Sequence, residues 1–346
     1  MKEEKYMQRC IELARNGLCN VSPNPMVGAV IVCDGQIIGE GYHTHCGQAH
    51  AEVNAIQSVQ DESLLKRSTI YVSLEPCSHH GKTPPCTDLI IKKQIPRIVI
   101  GCQDPFSKVA GQGIQKLRNA GREVTVGVLE NECRRLIRKF IVFNTLHRPY
   151  ITLKWAESTD GFIDIKRADG QPVILSTPRT ALLVHKKRSE SDAIMVGTHT
   201  ALLDNPSLTV RNWYGKNPTR IVLDKNLSLS PDLHLFDGSV PTLVFTFQNH
   251  SEQKNIEYII LNHEKELLLQ IMDNLYHRGL QSLLVEGGAR LLQSFIDNNL
   301  WDEAFIEKAK AVLHSGVKAP EIRNKISYSD EKHFGVKIKH YTNENV

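Results

Sequence analysis

The sequence has no long apolar run. Its first stretch, Met1 to Gly17, is charged, and nowhere do the roughly 20 apolar residues of a membrane-spanning helix follow one another. Neither a signal peptide nor a membrane partner is therefore expected. Aromatic residues are few, at 6%, and the 42 basic residues exceed the 38 acidic ones only slightly. Without a strong basic excess interleaved with aromatics, nucleic acid is not an expected partner, and the net charge of +4 suits a small anionic substrate equally well. Low-complexity tracts and internal repeats are absent, so the two halves are expected to carry different chemistry. The eight cysteines are scattered, and two of them share a motif with His and Glu. In a chain lacking an export signal that usage favours reduced thiols and a metal over a disulfide framework, with the cytoplasm as the expected compartment.

What is present is enough chain for two cores: 346 residues, 41% of them hydrophobic. In the first half, Met7, Cys10, Ile11 and Ala14 fall on one face of an amphipathic helix. The apolar runs Val27–Cys33 and Gln36–Gly41 flank Asp34–Gly35, a hairpin signal, since both turn positions tolerate positive φ. A helix from about His50 to Val59 and a strand at Thr69–Leu74 follow, then a helix after Cys86. A strand at Arg97–Gly101, a helix at Gly113–Ala120 and a strand at Glu123–Val128 complete the alternation. It predicts a three-layer α/β domain with a partly parallel sheet. A single helix is expected from about Asn131 to Leu146. Its Arg134, Arg135, Arg138 and Lys139 read better as a solvated face than as a nucleic-acid patch. The Arg148–Pro149 step breaks helix, which puts the domain boundary there: residues 1–147 and residues 148–346. The second half alternates again, with strands at Tyr150–Trp155, Ala193–Val196, Arg220–Leu223, Thr242–Phe247, Tyr258–Leu261 and Ser282–Val285.

One constellation carries chemistry. His50-Ala51-Glu52 is followed by Glu75-Pro76-Cys77 and, after eight more residues, by Cys86. A catalytic zinc takes three protein ligands and leaves a position for water; His50, Cys77 and Cys86 supply that set. Glu52 is left free to act on the water and to move protons to the ring nitrogen and the departing ammonia. His50 and Cys86 each open a predicted helix, where unpaired N–H groups and the macrodipole favour a thiolate. The competing reading is a structural zinc site with His79 or His80 as fourth ligand. The Glu two positions after the His favours catalysis. The wide interval between the cysteines departs from the two-residue spacing usual among nucleobase deaminases.

With these residues the chain resembles the bifunctional riboflavin-biosynthesis deaminase–reductase family over nearly its whole length. The first half carries Ser22-Pro23-Asn24-Pro25-Met26-Val27-Gly28-Ala29-Val30, Gly41-Tyr42-His43, the His50 and Cys77 motifs with the insert Gly81-Lys82-Thr83-Pro84-Pro85 before Cys86, Gly101-Cys102-Gln103-Asp104-Pro105 and Val109 through Ile114. The insert turns the irregular cysteine spacing into a match. The resemblance implies a cytidine-deaminase-like domain acting on a diaminohydroxypyrimidine with a phosphoribosylamino group. In that setting Asn24 and His43 would contact the pyrimidine, and Lys82 or the adjacent loop the sugar phosphate. As bare residues, Asn24 also reads as a turn cap, His43 as a strand histidine and Lys82 as a solvated loop residue.

The second half resembles the family's reductase domain, whose fold is similar to dihydrofolate reductase, through Leu153 to Gly161, Asp192 to Gly197, Thr200 to Arg211 and Val285-Glu286-Gly287-Gly288. NADPH would there reduce the ribosyl group to ribityl. The resemblance implies Arg188, Leu208, Arg211 and Glu286 at the substrate, and Lys154, Ala156, Asp160, Thr200, Asp204, Gly287 and Gly288 at the cofactor. Chemistry agrees in part. Gly287–Gly288 between a strand and a helix leaves N–H groups open to a phosphate, though a packing turn reads the same way. Two arginines can fork onto a phosphate, and Asp160 before Gly161 also suits a turn. No motif for the adenosine phosphate is legible, so NADPH over NADH rests on the resemblance. Two stretches depart from the family: Gln171–Thr177 lacks its Ser and its Trp-Ile-Thr step, and Ile306–Gly316 is more charged and less clearly a strand. A zinc deaminase with a degenerate, non-catalytic second half is therefore the alternative. The family's habit of forming dimers or tetramers makes a homo-oligomer the expected assembly.

Overall fold

Side chains alternate across a strand, and in the first half both alternating sets are apolar, which demands cover on both faces of the sheet. The computed structural model describes residues 2–79, 84–106, 110–167, 171–251, 253–323 and 327–343. It divides into two units, Met1–His147 and Arg148–Val346.

In the first unit the helix α1 (Lys2–Ala14) precedes a hairpin, β1 (Gly28–Cys33) and β2 (Gln36–Tyr42). Asp34 and Gly35 both take positive φ, 50° and 80°, as the Asp-Gly turn predicts. Then come α2 (Ala51–Gln57), β3 (Thr69–Leu74), α3 (Cys86–Lys92), β4 (Arg97–Cys102), α4 (Gln112–Asn119) and β5 (Glu123–Val126). The sheet order is β2-β1-β3-β4-β5, with β1 antiparallel to both neighbours and β3, β4 and β5 parallel. Ala29, Ile31, Ile70, Ile98 and Ile100 pack beneath α2, α3 and α4 with Ala55, Ile56, Ile90 and Leu117. Val30, Val32, Tyr71 and Val99 face Met7, Cys10 and Ile11 of α1. The expected single helix is two, α5 (Glu130–Leu136) and α6 (Arg138–Leu146). The chain breaks at Ile137, where φ of −105° and ψ of 18° leave the helical basin while the side chain packs into the core beside Cys133.

The second unit runs β6 (Tyr150–Glu157), β7 (Phe162–Asp164), α7 (Pro178–Ser189), β8 (Ala193–Gly197), α8 (Thr198–Asp204), β9 (Thr219–Leu223), β10 (Thr242–Thr246), β11 (Ile256–Ile260), α9 (Leu267–His277), β12 (Ser282–Gly287), α10 (Ala289–Asp297), β13 (Glu303–Lys308), β14 (Val317–Lys318), β15 (Ser327–His333) and β16 (Val336–Thr342). Its main sheet has the order β11-β10-β9-β8-β12-β6-β13-β16-β15. Strands from β11 to β13 are parallel, and β16 and β15 close the edge antiparallel. Only the start of the charged Ile306–Gly316 stretch, Ile306–Lys308, belongs to an interior strand, β13, paired on both sides by β6 and β16; residues 309–316 lie outside helices and strands. Ile151, Leu153, Trp155, Leu283, Val285, Ala304 and Ile306 pack with α9 and α10 residues such as Ile271, Leu275, Leu292 and Phe295. On the opposite face the alternate positions of β6, β12 and β13 include Lys154, Glu286 and Glu307.

Candidate active site: a thiolate–imidazole cluster and a charged cleft

Three elements converge on the first site. His50 is the residue before α2, Cys77 follows β3 and Cys86 opens α3. Their ligand atoms lie within 4.8 Å of one another, with His50 Nδ1 at 3.6 Å from Cys77 Sγ and 3.4 Å from Cys86 Sγ. A tetrahedral zinc with ordinary bond lengths separates N and S ligands by about 3.6 Å. The donor set and its spacing fit that ion. Among the described residues no fourth His, Cys, Asp or Glu joins the cluster; His80 lies outside them.

The surroundings favour a thiolate at Cys77, while the bond to Cys77 and burial push the Cys86 thiol up. The backbone N–H of Cys86, at the start of α3, donates to Cys77 Sγ at 3.3 Å. Hydrogen bonding from the Cys86 thiol, against the cost of burial and with help from His50, holds Cys77 far below an ordinary thiol. Glu52, in the first turn of α2, is only 3% exposed. Burial, and next the negative charge of Cys77, push its carboxyl up to about 7.

Asn24 and His43 stand beside this cluster. Asn24 Nδ2 lies 3.0 Å from His43 Nε2, and His43 Nδ1 lies 3.0 Å from the Ala49 carbonyl. The carbonyl requires a proton on Nδ1, which leaves Nε2 to accept from the amide. Burial lowers the His43 pKa, in keeping with this neutral ring. The His43 and His50 rings meet edge-on with centroids 5.4 Å apart. Lys82 lies outside the described residues.

The role of one structural carboxylate beside the site escaped sequence reasoning. Glu75, just before Pro76-Cys77, accepts from the backbone N–H groups of Asp104, Gly111, Gly113 and Ile114 at 2.9 to 3.2 Å. It joins the strand that delivers Cys77 to the N-terminus of α4. Its presence in the motif was legible; its partners, 29 to 39 residues away, were not.

In the second unit a cleft of about 610 Å³ opens on Lys154, Ala156, Thr200, Asp204, Glu286, Gly287 and Gly288. All seven were expected at substrate or cofactor. Gly287 ends β12 and Gly288, at φ 80°, leads into α10, whose first residue Ala289 also lines the cleft. A Cβ at Gly287 would crowd the Thr200 methyl at 3.0 Å, and the positive φ of Gly288 favours glycine there; the turn leaves backbone N–H groups at a helix start for an anion. The cleft's size and this turn fit a dinucleotide.

Arg188 and Glu286 form a nearly buried fork, Nε–Oε1 2.9 Å and Nη2–Oε2 2.6 Å, and Arg188 also donates to the Thr209 carbonyl. Burial raises the Glu286 carboxyl, but Arg188, with Lys154 and His185, brings it below its ordinary value. Lys154 is lowered by burial, opposed by Glu286 and Glu307. Arg211 holds Thr209 Oγ1 through its guanidinium, and its backbone N–H donates to His185 Nδ1 at 3.1 Å. Two expected residues sit elsewhere. Asp160 is in the turn after β6 and accepts from the N–H groups of Leu313 and His314, the turn role its Gly neighbour suggested. The Leu208 side chain is 2% exposed and packs with Val196, Val222 and Leu235 in the core, so any contact with a ligand would fall to its backbone.

Residues 1–102 match the cytidine and deoxycytidylate deaminase zinc-binding region, and residues 149–309 match the RibD C-terminal domain. Riboflavin biosynthesis protein RibD of Aquifex aeolicus is 37% identical over 92% of this chain and 90% of its own. The Escherichia coli protein of the same name is 34% identical with the same coverage. A deaminase/reductase of Thermotoga maritima, solved by crystallography, is 38% identical and superposes with a TM-score of 0.89 over 99% of this chain and 98% of its own. Acinetobacter baumannii RibD gives 30% and 0.87 with equal coverage. The second half is a full-length reductase domain, not a degenerate remnant. With both a zinc-binding deaminase region and a reductase domain in place, the chain belongs to the RibD family of bifunctional riboflavin-biosynthesis deaminase–reductases.

Proposed function

We propose that residues 1–147 deaminate a diaminohydroxyphosphoribosylaminopyrimidine and that residues 148–346 reduce the resulting 5-amino-6-(5-phosphoribosylamino)uracil to its ribityl form. These are the two activities named for the Thermotoga maritima relative. The observation that carries the reading is Glu52: a buried carboxylate two residues from one ligand and unused as a ligand itself.

In this reading His50, Cys77 and Cys86 hold zinc, which when bound supplies a Lewis acid that makes water a nucleophile near neutral pH. Glu52 takes one proton from the attacking water and passes it to the ring nitrogen. It then takes the second from the hydroxyl now bonded to the ring carbon and passes it to the amine, which leaves as ammonia as the carbonyl forms. Its carboxyl, raised toward neutrality, suits both taking and giving. Asn24 and the neutral His43 orient the pyrimidine edge, and Lys82 meets the sugar phosphate.

NADPH, when bound in the cleft, would supply the hydride. Gly287, Gly288 and the start of α10 would hold a cofactor phosphate, with Thr200, Asp204, Ala156 and Lys154 around it. Glu286, fixed by Arg188, faces the sugar. Arg188 and Arg211 serve the substrate phosphate with N–H groups not engaged on Glu286 and Thr209. Leu208 contributes through its backbone, and Asp160 acts by holding its turn. A cytoplasmic homo-oligomer, dimer or tetramer, completes the proposal.

The test is Glu52→Ala in the full chain. Zinc content should stay at the wild-type level while ammonia release falls about 10²–10⁴-fold. Retained turnover would defeat the mechanism, and zinc loss would make Glu52 part of the binding shell.

A further inference from the structure

Two stretches depart from the family pattern, Gln171–Thr177 and Ile306–Gly316, and the fold brings them into contact. Glu307, on β13, has neighbours Ala304 and Ile306 in the core beneath α9 and α10, while its own side chain lies on the other face, that of Lys154 on β6. It is 3% exposed. A carboxylate so placed is costly unless hydrogen-bonded. Its two oxygens have partners from one neighbouring segment: Ser176 Oγ lies 2.7 Å from Oε2, and Thr180 Oγ1 lies 2.7 Å from Oε1. Thr180 also completes the capping box that starts α7 with Thr177.

The segment so held forms part of the cleft. Pro172, Val173, Ile174, Leu175 and Ser176 line it together with Gly287 and Gly288. These residues lie outside helices and strands, and Ile174 is 83% exposed. An apolar wall without a sheet ladder of its own depends on side-chain anchors for its position.

We propose that Glu307 is a positioning residue of the reductase cleft: through Ser176 and Thr180 it fixes the Pro172–Ser176 wall and thereby sets the affinity for the dinucleotide. This rests on the reading of the cleft as the NADPH site. The wall is ordered before the cofactor arrives, so binding does not bear the cost of ordering it. In this chain a carboxylate on β13 and a hydroxyl at Ser176 supply together a contact that neither stretch suggests alone.

Titrating NADPH fluorescence with full-length wild type, Ser176→Ala, Ser176→Thr, Glu307→Ala and the Ser176→Ala/Glu307→Ala double variant tests it. The Kd for NADPH should rise about tenfold on losing the hydrogen bond to a charged group in each alanine single variant. The double variant should bind no more weakly than Glu307→Ala, and Ser176→Thr should stay at the wild-type value. In Ser176→Ala, which leaves Glu307 and Lys154 in place, KM for NADPH should rise more than kcat falls, with the thermal midpoint unchanged. A wild-type Kd in Ser176→Ala, or strictly additive losses in the double variant, would overturn the anchoring role. If Glu307→Ala does not fold, Ser176→Ala and Ser176→Thr decide alone. Failure of the wild type itself to bind NADPH would instead remove the reading of the cleft, and the anchor with it.

Discussion

At the residue scale, burial and neighbouring charges set which groups of both candidate sites favour the charged form. Burial lifts the Glu52 carboxyl toward neutrality, while neighbouring protons and N–H groups keep Cys77 anionic. His185 belongs to the same logic in the second unit. Burial, then the cations of Arg188 and Arg211, lower its pKa, and its Nδ1 must be unprotonated to accept from the Arg211 N–H. The unfolded chain therefore binds a proton more readily than the native one below about pH 6.5. His185 contributes its full stability above that value, and the contribution is lost as pH falls through the lower native pKa. Urea unfolding at a series of pH values should show a shallower acid decline for His185→Gln than for wild type. A steeper decline in the variant would reverse the sign and reject the assignment.

At the scale of elements, α2 is placed by what β2 lacks. A Cβ on Gly41 would stand 2.3 Å from the Ala55 nitrogen and 2.6 Å from the Ala51 oxygen, both backbone atoms of the helix. Helix and strand approach so closely because Gly41, and Gly39 with a Cβ position 2.5 Å from the Ala55 oxygen, have no side chains, and that approach sets where His50 and Glu52 stand. Gly41→Ala should displace α2, destabilise the unit by about 1–3 kcal/mol, and lower both zinc content and ammonia release. NADPH binding should be untouched. Wild-type zinc content and deamination in this variant would show that α2 accommodates the methyl group elsewhere. Glu75 makes the same point from the other side, since it joins Cys77's strand to the start of α4 through four backbone N–H groups.

At the scale of the whole molecule, two chemistries occupy two units, and each should fail separately. The second unit begins with a buried fork in which Arg148 meets Asp302 at 2.7 and 2.9 Å, and Asp302 also accepts from the Ile151 N–H. Asp302→Ala leaves the arginine buried without its partner, a change worth about 3–5 kcal/mol. Thermal inactivation should then bring NADPH oxidation down at a lower temperature than in wild type, with ammonia release following its wild-type course. Parallel loss of both activities would mean that the units unfold together.

The gathering of His50, Cys77 and Cys86, the carboxylate of Glu52 beside them, the Asp34–Gly35 hairpin, the α/β alternation and the glycine turn at Gly287–Gly288 were all legible in the chain. Each depends on local chemistry: ligand type and spacing, positive φ, side-chain period, a strand meeting a helix. The order of the strands, the break at Ile137 and the interior position of β13 were not, because they follow from which surfaces meet after collapse. The same holds for Asp160 and Leu208, which resemblance placed at ligands and the fold gives to a turn and a core. Hydrogen bonds spanning more than a hundred residues, such as those of Glu307, exist only once the sheet has brought β13 beside β6. Sequence by itself determined which residue types stand at the candidate sites; tertiary structure decided what holds them in place, since a side chain's partners are set by contacts between segments and not by its neighbours in the chain.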